Sequence, residues 1–227
     1  MVLCVSENDY QKEKSYVTMA EEQRVAGILS ISYSDLTSHV HSDIPLVSIE
    51  KESTGQFSLV SSDNYEGGKI AARELSKRKL SNLIFIGSAN HNSVEMNARK
   101  AGFIDYCNNH GIKFELTEID SRKDDKHVIE HLIQKIKNDS TNYGIFAHTD
   151  ELALVLTEEF QKAEIAVPEH VQIIGFDGWQ LTPDTPLTIS SIRQNIEAIA
   201  KTAVEQLHKE MQNTDHKEIS RLMIPVT

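Results

Sequence analysis

Short apolar runs alternate with amphipathic stretches from one end of the chain to the other. Runs suited to buried strands occur at Val2 to Val5, Val25 to Ile31, Leu46 to Ile49, Phe57 to Val60, Leu83 to Ile86, Phe114 to Ile119, Tyr143 to Ala147, Val171 to Phe176 and Leu222 to Val226. Between them Val128, Ile129, Leu132, Ile133 and Ile136 fall at helical spacing, as do Leu152, Val155, Leu156, Phe160 and Ala163. The clearest helical stripe comes late, through Ile196, Ile199, Ala200, Ala203, Val204, Leu207 and Met211. From Leu83 onward the strand starts recur roughly every 30 residues, about the length of a strand and its returning helix. The pattern predicts an α/β fold with right-handed, parallel sheets. The polar stretch Tyr33 to Asp43, with His39 and His41, reads as a surface loop or short helix.

Composition narrows the class. Among 227 residues, 39% are hydrophobic and 25% charged, which excludes a disordered tail, a collagen and a disulfide miniprotein. The length suits one large α/β unit or two small lobes. No stretch approaches the ~18 consecutive apolar residues of a spanning helix. Residues 1–20 turn acidic and lysine-rich too early for a secretory signal, so the expected location is the cytoplasm, with no membrane partner. A formal net charge of −11 opposes the counterion release on which nucleic-acid binding depends, so this chain alone is not expected to hold DNA. Cys4 and Cys107 show no metal or redox spacing and read as reduced, buried thiols, with a disulfide or a reactive thiol as the alternatives.

Candidate chemistry collects where the apolar runs stop. In an open parallel sheet ligands bind outside the carboxyl ends of the strands. Here those ends carry Ser32; Ser61, Ser62, Asp63 and Asn64; Gly87 and Ser88; His148, Thr149 and Asp150; and Asp177. Hydroxyls, amides and carboxylates in that arrangement suit a polyhydroxylated ligand, each of whose groups needs a partner once water is removed. A plainer reading has Asp150 and Asn64 capping the helices that follow them. The pattern His127-Val128-Ile129-Glu130-His131 matches HxxEH, but the apolar stripe of that helix leaves 127, 130 and 131 on its solvent side. Gly67-Gly68-Lys69 lacks the earlier glycine and the following Ser or Thr of a phosphate loop, and no GxSxG occurs. No metal, cofactor or catalytic residue is assigned.

Several motifs stand together in order: Ile44-Pro45-Leu46-Val47, Val60-Ser61-Ser62-Asp63-Asn64-Tyr65-Glu66-Gly67-Gly68, Arg99-Lys100-Ala101-Gly102-Phe103, Thr149-Asp150-Glu151-Leu152-Ala153, Ile174-Gly175-Phe176-Asp177-Gly178, Pro186-Leu187-Thr188 and Ser191-Ile192-Arg193-Gln194. Over essentially the whole chain this resembles the effector-binding core of the LacI/GalR family of transcriptional regulators. The stretches around Asp63 and Trp179 look most like its sucrose-operon type. The resemblance implies a type I periplasmic-binding-protein-like fold of two parallel-sheet, Rossmann-like lobes that close over a sugar or sugar phosphate, with three crossings as the hinge. The first lobe would hold 1–80 plus 192–213 and the second 81–191 plus 214–227.

By the same resemblance Arg99 grips effector hydroxyls and Asp177 accepts hydrogen bonds from them, with Thr149, Asp150, Trp179 and Glu66 beside them. A guanidinium fork and an acceptor-only carboxylate can together fix adjacent hydroxyls, and both residues are expected to serve ligand more than fold. The lone tryptophan, Trp179, is expected at the mouth of the cleft. The sequence departs from the family at Thr149, where many relatives have asparagine, and at Lys79, where a helix-ending glycine is usual. The chain is expected to begin at the family's second strand. That leaves the first strand, first helix and helix-turn-helix headpiece outside it, and costs a neighbouring strand its pairing. Operator DNA would then be reached only through the headpiece, in a homodimer of the full-length protein. The alternatives are a stand-alone sugar-binding protein of a transport system and a sugar hydrolase on a Rossmann-like sheet.

Overall fold

The computed structural model describes the whole chain except residues 8, 33–35, 37–38, 41–42, 52–55, 79, 81, 89–93, 120–125, 179–188 and 213–217, and the side chain of Met96. Trp179, Lys79 and most of the stretch 33–43 therefore lie outside the described residues. The elements, in order, are α1 (Tyr10–Glu22), β1 (Ile28–Ser30), β2 (Leu46–Ile49), β3 (Ser58–Ser62), α2 (Asn64–Ser76), β4 (Asn82–Ser88), α3 (Val94–Asn109), β5 (Phe114–Ile119), α4 (Lys126–Lys137), β6 (Tyr143–Ala147), α5 (Asp150–Lys162), β7 (Val171–Asp177), β8 (Ser190–Arg193), α6 (Ile196–Gln212) and β9 (Arg221–Ile224). They form two parallel sheets, β1-β2-β3-β9 and β5-β4-β6-β7-β8. Among the described residues no helix is long and apolar enough to cross a membrane.

The chain divides into two compact units, Met1–Ser62 with Asn195–Ile224 and Asp63–Gln194 with Pro225–Thr227, and passes between them three times. These limits differ from the lobes expected at 80, 192 and 214. Helix α2 falls in the second unit because it packs along α3 and over β4 and β6. The last strand falls in the first, because β9 pairs with β3 from Leu59–Arg221 to Ser62–Ile224. Ile192 and Arg193 belong to β8, an edge strand paired with β7.

In the second unit the pleat sorts the apolar residues by alternation. Ile84, Ile86 and Ile145 turn to one face, under Ile129, Leu132 and Ile136 of α4 and Leu156 and Phe160 of α5. Leu83, Phe85, Phe146 and Phe176 turn to the other, under Ala71, Ala72 and Leu75 of α2 and Phe103 and Cys107 of α3. Burial among these side chains pushes the Cys107 thiol up to about 11. In the first unit Ile199, Ala203 and Leu207 of α6 cover Val47, Val60 and Leu222.

Two expectations fail in the first unit. Val2 to Val5 forms no strand, because an apolar run becomes one only with a neighbour to complete its backbone hydrogen bonds; Val2, Leu3 and Val5 are exposed. Cys4, expected to be buried, is exposed with them. The run is tethered at its end, where Val5 O accepts from the Tyr16 hydroxyl at 3.2 Å and Ser6 Oγ donates to Glu13 Oε1 at 3.0 Å. Glu13 Oε2 also accepts from Ser32 Oγ, just past β1, at 2.8 Å.

Candidate functional site

The second unit gathers its polar groups at the carboxyl ends of β6 and β7 and at the facing parts of α2 and α3. Helix α2 begins there because the Asp63 side chain accepts from the Glu66 backbone N–H at 2.9 Å, and α5 because Thr149 Oγ1 accepts from the Leu152 N–H at 3.3 Å. The caps are thus Asp63 and Thr149. Asn64 and Asp150, each one residue inside its helix and nearly inaccessible, turn their side chains to other partners.

Asn64 Oδ1 accepts from Arg99 Nε at 2.8 Å. A second nitrogen of Arg99, Nη1, donates to the His148 carbonyl at 2.6 Å, and Nη2 stands 3.6 Å from Asp177 Oδ1. Beneath them the guanidinium carbon lies 3.5 Å from the centre of the Phe176 ring, close enough for a cation–π contact. Arg99 is only 6% exposed, so it is no helix-surface arginine. Its charge is tolerated there because Nε and Nη1 donate to acceptors, Nη2 faces the Asp177 carboxylate and the ring offers its negative face.

Asp177 is the open end of this network, with 36% of its side chain exposed. Its backbone sits at φ 122°, in the left-handed half of the map that non-glycine residues rarely enter, and Gly178 follows at φ 72°. Asp177 O accepts from Gln194 N at 3.2 Å. The Asp177 carboxylate, partly open to solvent on a strained turn, thus stands beside a guanidinium held by Asn64, the His148 carbonyl and the Phe176 ring.

The other expected residues are distributed as follows. Thr149 caps α5 beside His148. Asp150 is 2% exposed, and its Oδ1 accepts from Ser191 Oγ at 2.6 Å. Glu66 pairs with Lys69 at 2.6 Å on the first turn of α2. His127, Glu130 and His131 all lie on the exposed side of α4, where His127 Nδ1 is 3.6 Å from Glu130. Among the described residues no group of three His, Cys, Asp or Glu side chains could hold a metal ion.

Sequence reasoning passed over the roles of Asn64, Phe176, the His148 carbonyl and Ser191. The aromatic residue just before Asp177 was a usable signal for the platform under Arg99. A backbone carbonyl offers none.

Residues 72–227 match the family of periplasmic binding protein-like domains. The chain is 28% identical over 215 residues to the sucrose operon repressor of Streptococcus mutans serotype c, covering 94% of this chain and 66% of that protein. It is 26% identical over 235 residues to the transcriptional repressor PurR of Vibrio atlanticus, covering 96% and 67%. A solved periplasmic binding protein/LacI transcriptional regulator from Alkaliphilus metalliredigens, complexed with D-xylulofuranose, superimposes with a TM-score of 0.79 at 28% identity, covering all of this chain and 84% of that one. The chain therefore spans about two thirds of the length of these curated relatives.

Proposed function

This chain belongs to the periplasmic binding protein-like domain family, in its LacI/GalR branch, and on that premise we propose that it is the effector-binding domain of a transcriptional repressor. Its effector is a sugar or sugar phosphate. The observation that carries this reading is the pairing of Asp177, half-exposed and strained, with Arg99, held by Asn64, His148 and the Phe176 ring. Neighbouring hydroxyls on a sugar both donate and accept, and this pair answers each role. The D-xylulofuranose bound by the Alkaliphilus regulator is a molecule of that kind. Thr149, Trp179 and Glu66 complete the set of residues assigned to the effector, while Asp150, expected among them, is buried against Ser191.

The domain performs no chemical step; its output is a shift between conformations that the effector binds unequally. In the full-length protein that shift governs a DNA-binding headpiece in a cytoplasmic homodimer, and operator DNA is met through the headpiece alone. The test is a thermal-shift panel of monosaccharides, disaccharides and their phosphates. A ligand at 100 times its dissociation constant stabilises by ~2.7 kcal/mol, which raises the melting temperature by several degrees in a chain of this size. A panel in which no sugar or sugar phosphate moves the melting temperature overturns the proposal.

A further inference from the structure

Asp150 and Ser191 lie 41 positions apart in the chain and meet behind the Asp177 turn. Ser191 is on β8 and pairs in register with Gly175 of β7, two residues before Asp177. Its Oγ accepts from the Gly178 backbone N–H at 2.9 Å and donates to Asp150 Oδ1 at 2.6 Å. One hydroxyl thus joins a buried carboxylate to the amide just past the strained residue. The approach is close, since a Cβ on Gly175 would overlap Asp150 Oδ1, and Gly178, at φ 72°, has no room for a Cβ beside Arg193.

We propose that Ser191, backed by Asp150, is a positioning residue that holds the Asp177–Gly178 turn in its left-handed conformation and so sets where the Asp177 carboxylate stands relative to Arg99. This rests on the reading of Asp177 as an effector ligand. It gives Asp150 a task other than touching the effector. The physical reason is directional. The Asp150 carboxylate can only accept, which obliges the Ser191 hydroxyl to donate to it and turns a Ser191 lone pair toward the Gly178 N–H. A buried, charge-assisted bond of this kind is short and strong, and it favours a backbone conformation that Asp177 would not hold unaided.

The test uses the intact chain with glycine labelled by nitrogen-15. Amide exchange at Gly178 is followed without sugar, and affinity is measured by calorimetry with whichever panel sugar stabilises the wild type most. Ser191→Ala is expected to speed Gly178 exchange at least ~10-fold relative to other glycine amides and to weaken the sugar by about tenfold. Ser191→Thr, which keeps the hydroxyl, restores both. Asp150→Asn keeps the shape but loses the charge, and gives a smaller acceleration of the same amide. Unchanged Gly178 exchange in Ser191→Ala, or failure of Ser191→Thr to restore it, overturns the anchor. Faster exchange with unchanged affinity overturns its control of Asp177. The exchange arm needs no sugar, so a panel without a binder removes the proposed function and still leaves the anchor decided.

Discussion

Asn64 Oδ1 accepts from Arg99 Nε at 2.8 Å, joining the first residue of α2 to the second turn of α3. The bond makes Arg99 part of the fold, against the expectation that it serves ligand more than fold. Arg99→Ala would leave Asn64 Oδ1 and the His148 carbonyl without this donor and the Phe176 ring without its cation. It is expected to cost roughly 3 kcal/mol of stability besides abolishing sugar binding. Arg99→Lys should recover little of either, since an ammonium cannot reproduce the planar, three-way grip. Chemical denaturation and calorimetry on the same samples check both.

Asp177→Asn should behave differently. The carboxylate is 36% exposed and stands 3.6 Å from Arg99 Nη2, beyond hydrogen-bond distance, so its replacement by the isosteric amide is expected to move the unliganded melting temperature little. Loss of a charged acceptor should weaken the sugar by ~10- to 100-fold. A large drop in melting temperature with normal affinity would make Asp177 structural.

The two cysteines should separate cleanly in a thiol titration. Cys4 is exposed, whereas Cys107 is buried with its thiol pushed up to about 11, so a negligible fraction is thiolate near neutral pH. A neutral-pH reagent should modify one thiol quickly and the second only on unfolding, with mass spectrometry placing the fast adduct on Cys4.

Asp139 provides a pH handle away from the site. Its Oδ2 accepts from the Tyr143 hydroxyl at 2.6 Å and its Oδ1 from Thr141 N at 2.9 Å, and these bonds hold its carboxyl below the ordinary 3.8. A depressed carboxyl favours the folded state above the unfolded value, and that contribution is lost as pH falls through the lower folded one. Wild type should therefore exceed Asp139→Asn in stability at pH 6. The gap should close below pH ~3.8, as read from denaturant midpoints across that range.

At the crossing of α2 and α3, a Cβ on Gly68 would overlap the Arg99 carbonyl, and one on Gly102 would overlap the Tyr65 carbonyl. Backbone cannot yield as a side-chain tip can. Gly68→Ala and Gly102→Ala should each destabilise by about 1–3 kcal/mol or more in denaturant unfolding. Tyr65→Phe, which removes only the hydroxyl bond to Asp105, should stay within ~0.5 kcal/mol of wild type.

The fold was legible wherever burial acts on a local pattern. Leu46–Ile49, Phe114–Ile119 and Tyr143–Ala147 were read with their observed limits, and α4, α5 and α6 followed from helical spacing. Helix α1 was missed because its sequence offers a thin apolar face; Asp9 caps it and Glu13 ties it to Ser6 and Ser32. Strand β8 was missed because only Ile192 of its four residues is buried. Val2 to Val5 shows the converse, since its apolar pattern is strand-like and only tertiary pairing could have made it one. Within the site, Arg99 and Asp177 were reachable through motif resemblance. Asn64 and Ser191 were not, because their roles depend on partners 35 and 41 positions away.

The glycine crossing also limits how recognition in this unit can diversify. Two helices in backbone contact cannot slide through a series of intermediate spacings, so the distance between the α2 and α3 groups that flank the site is inherited as a constant. A descendant protein that meets a different small molecule must then exchange side chains at the strand ends and leave the scaffold alone. Variants selected for a new ligand should accordingly accumulate changes in side chains at the strand ends and retain Gly68 and Gly102.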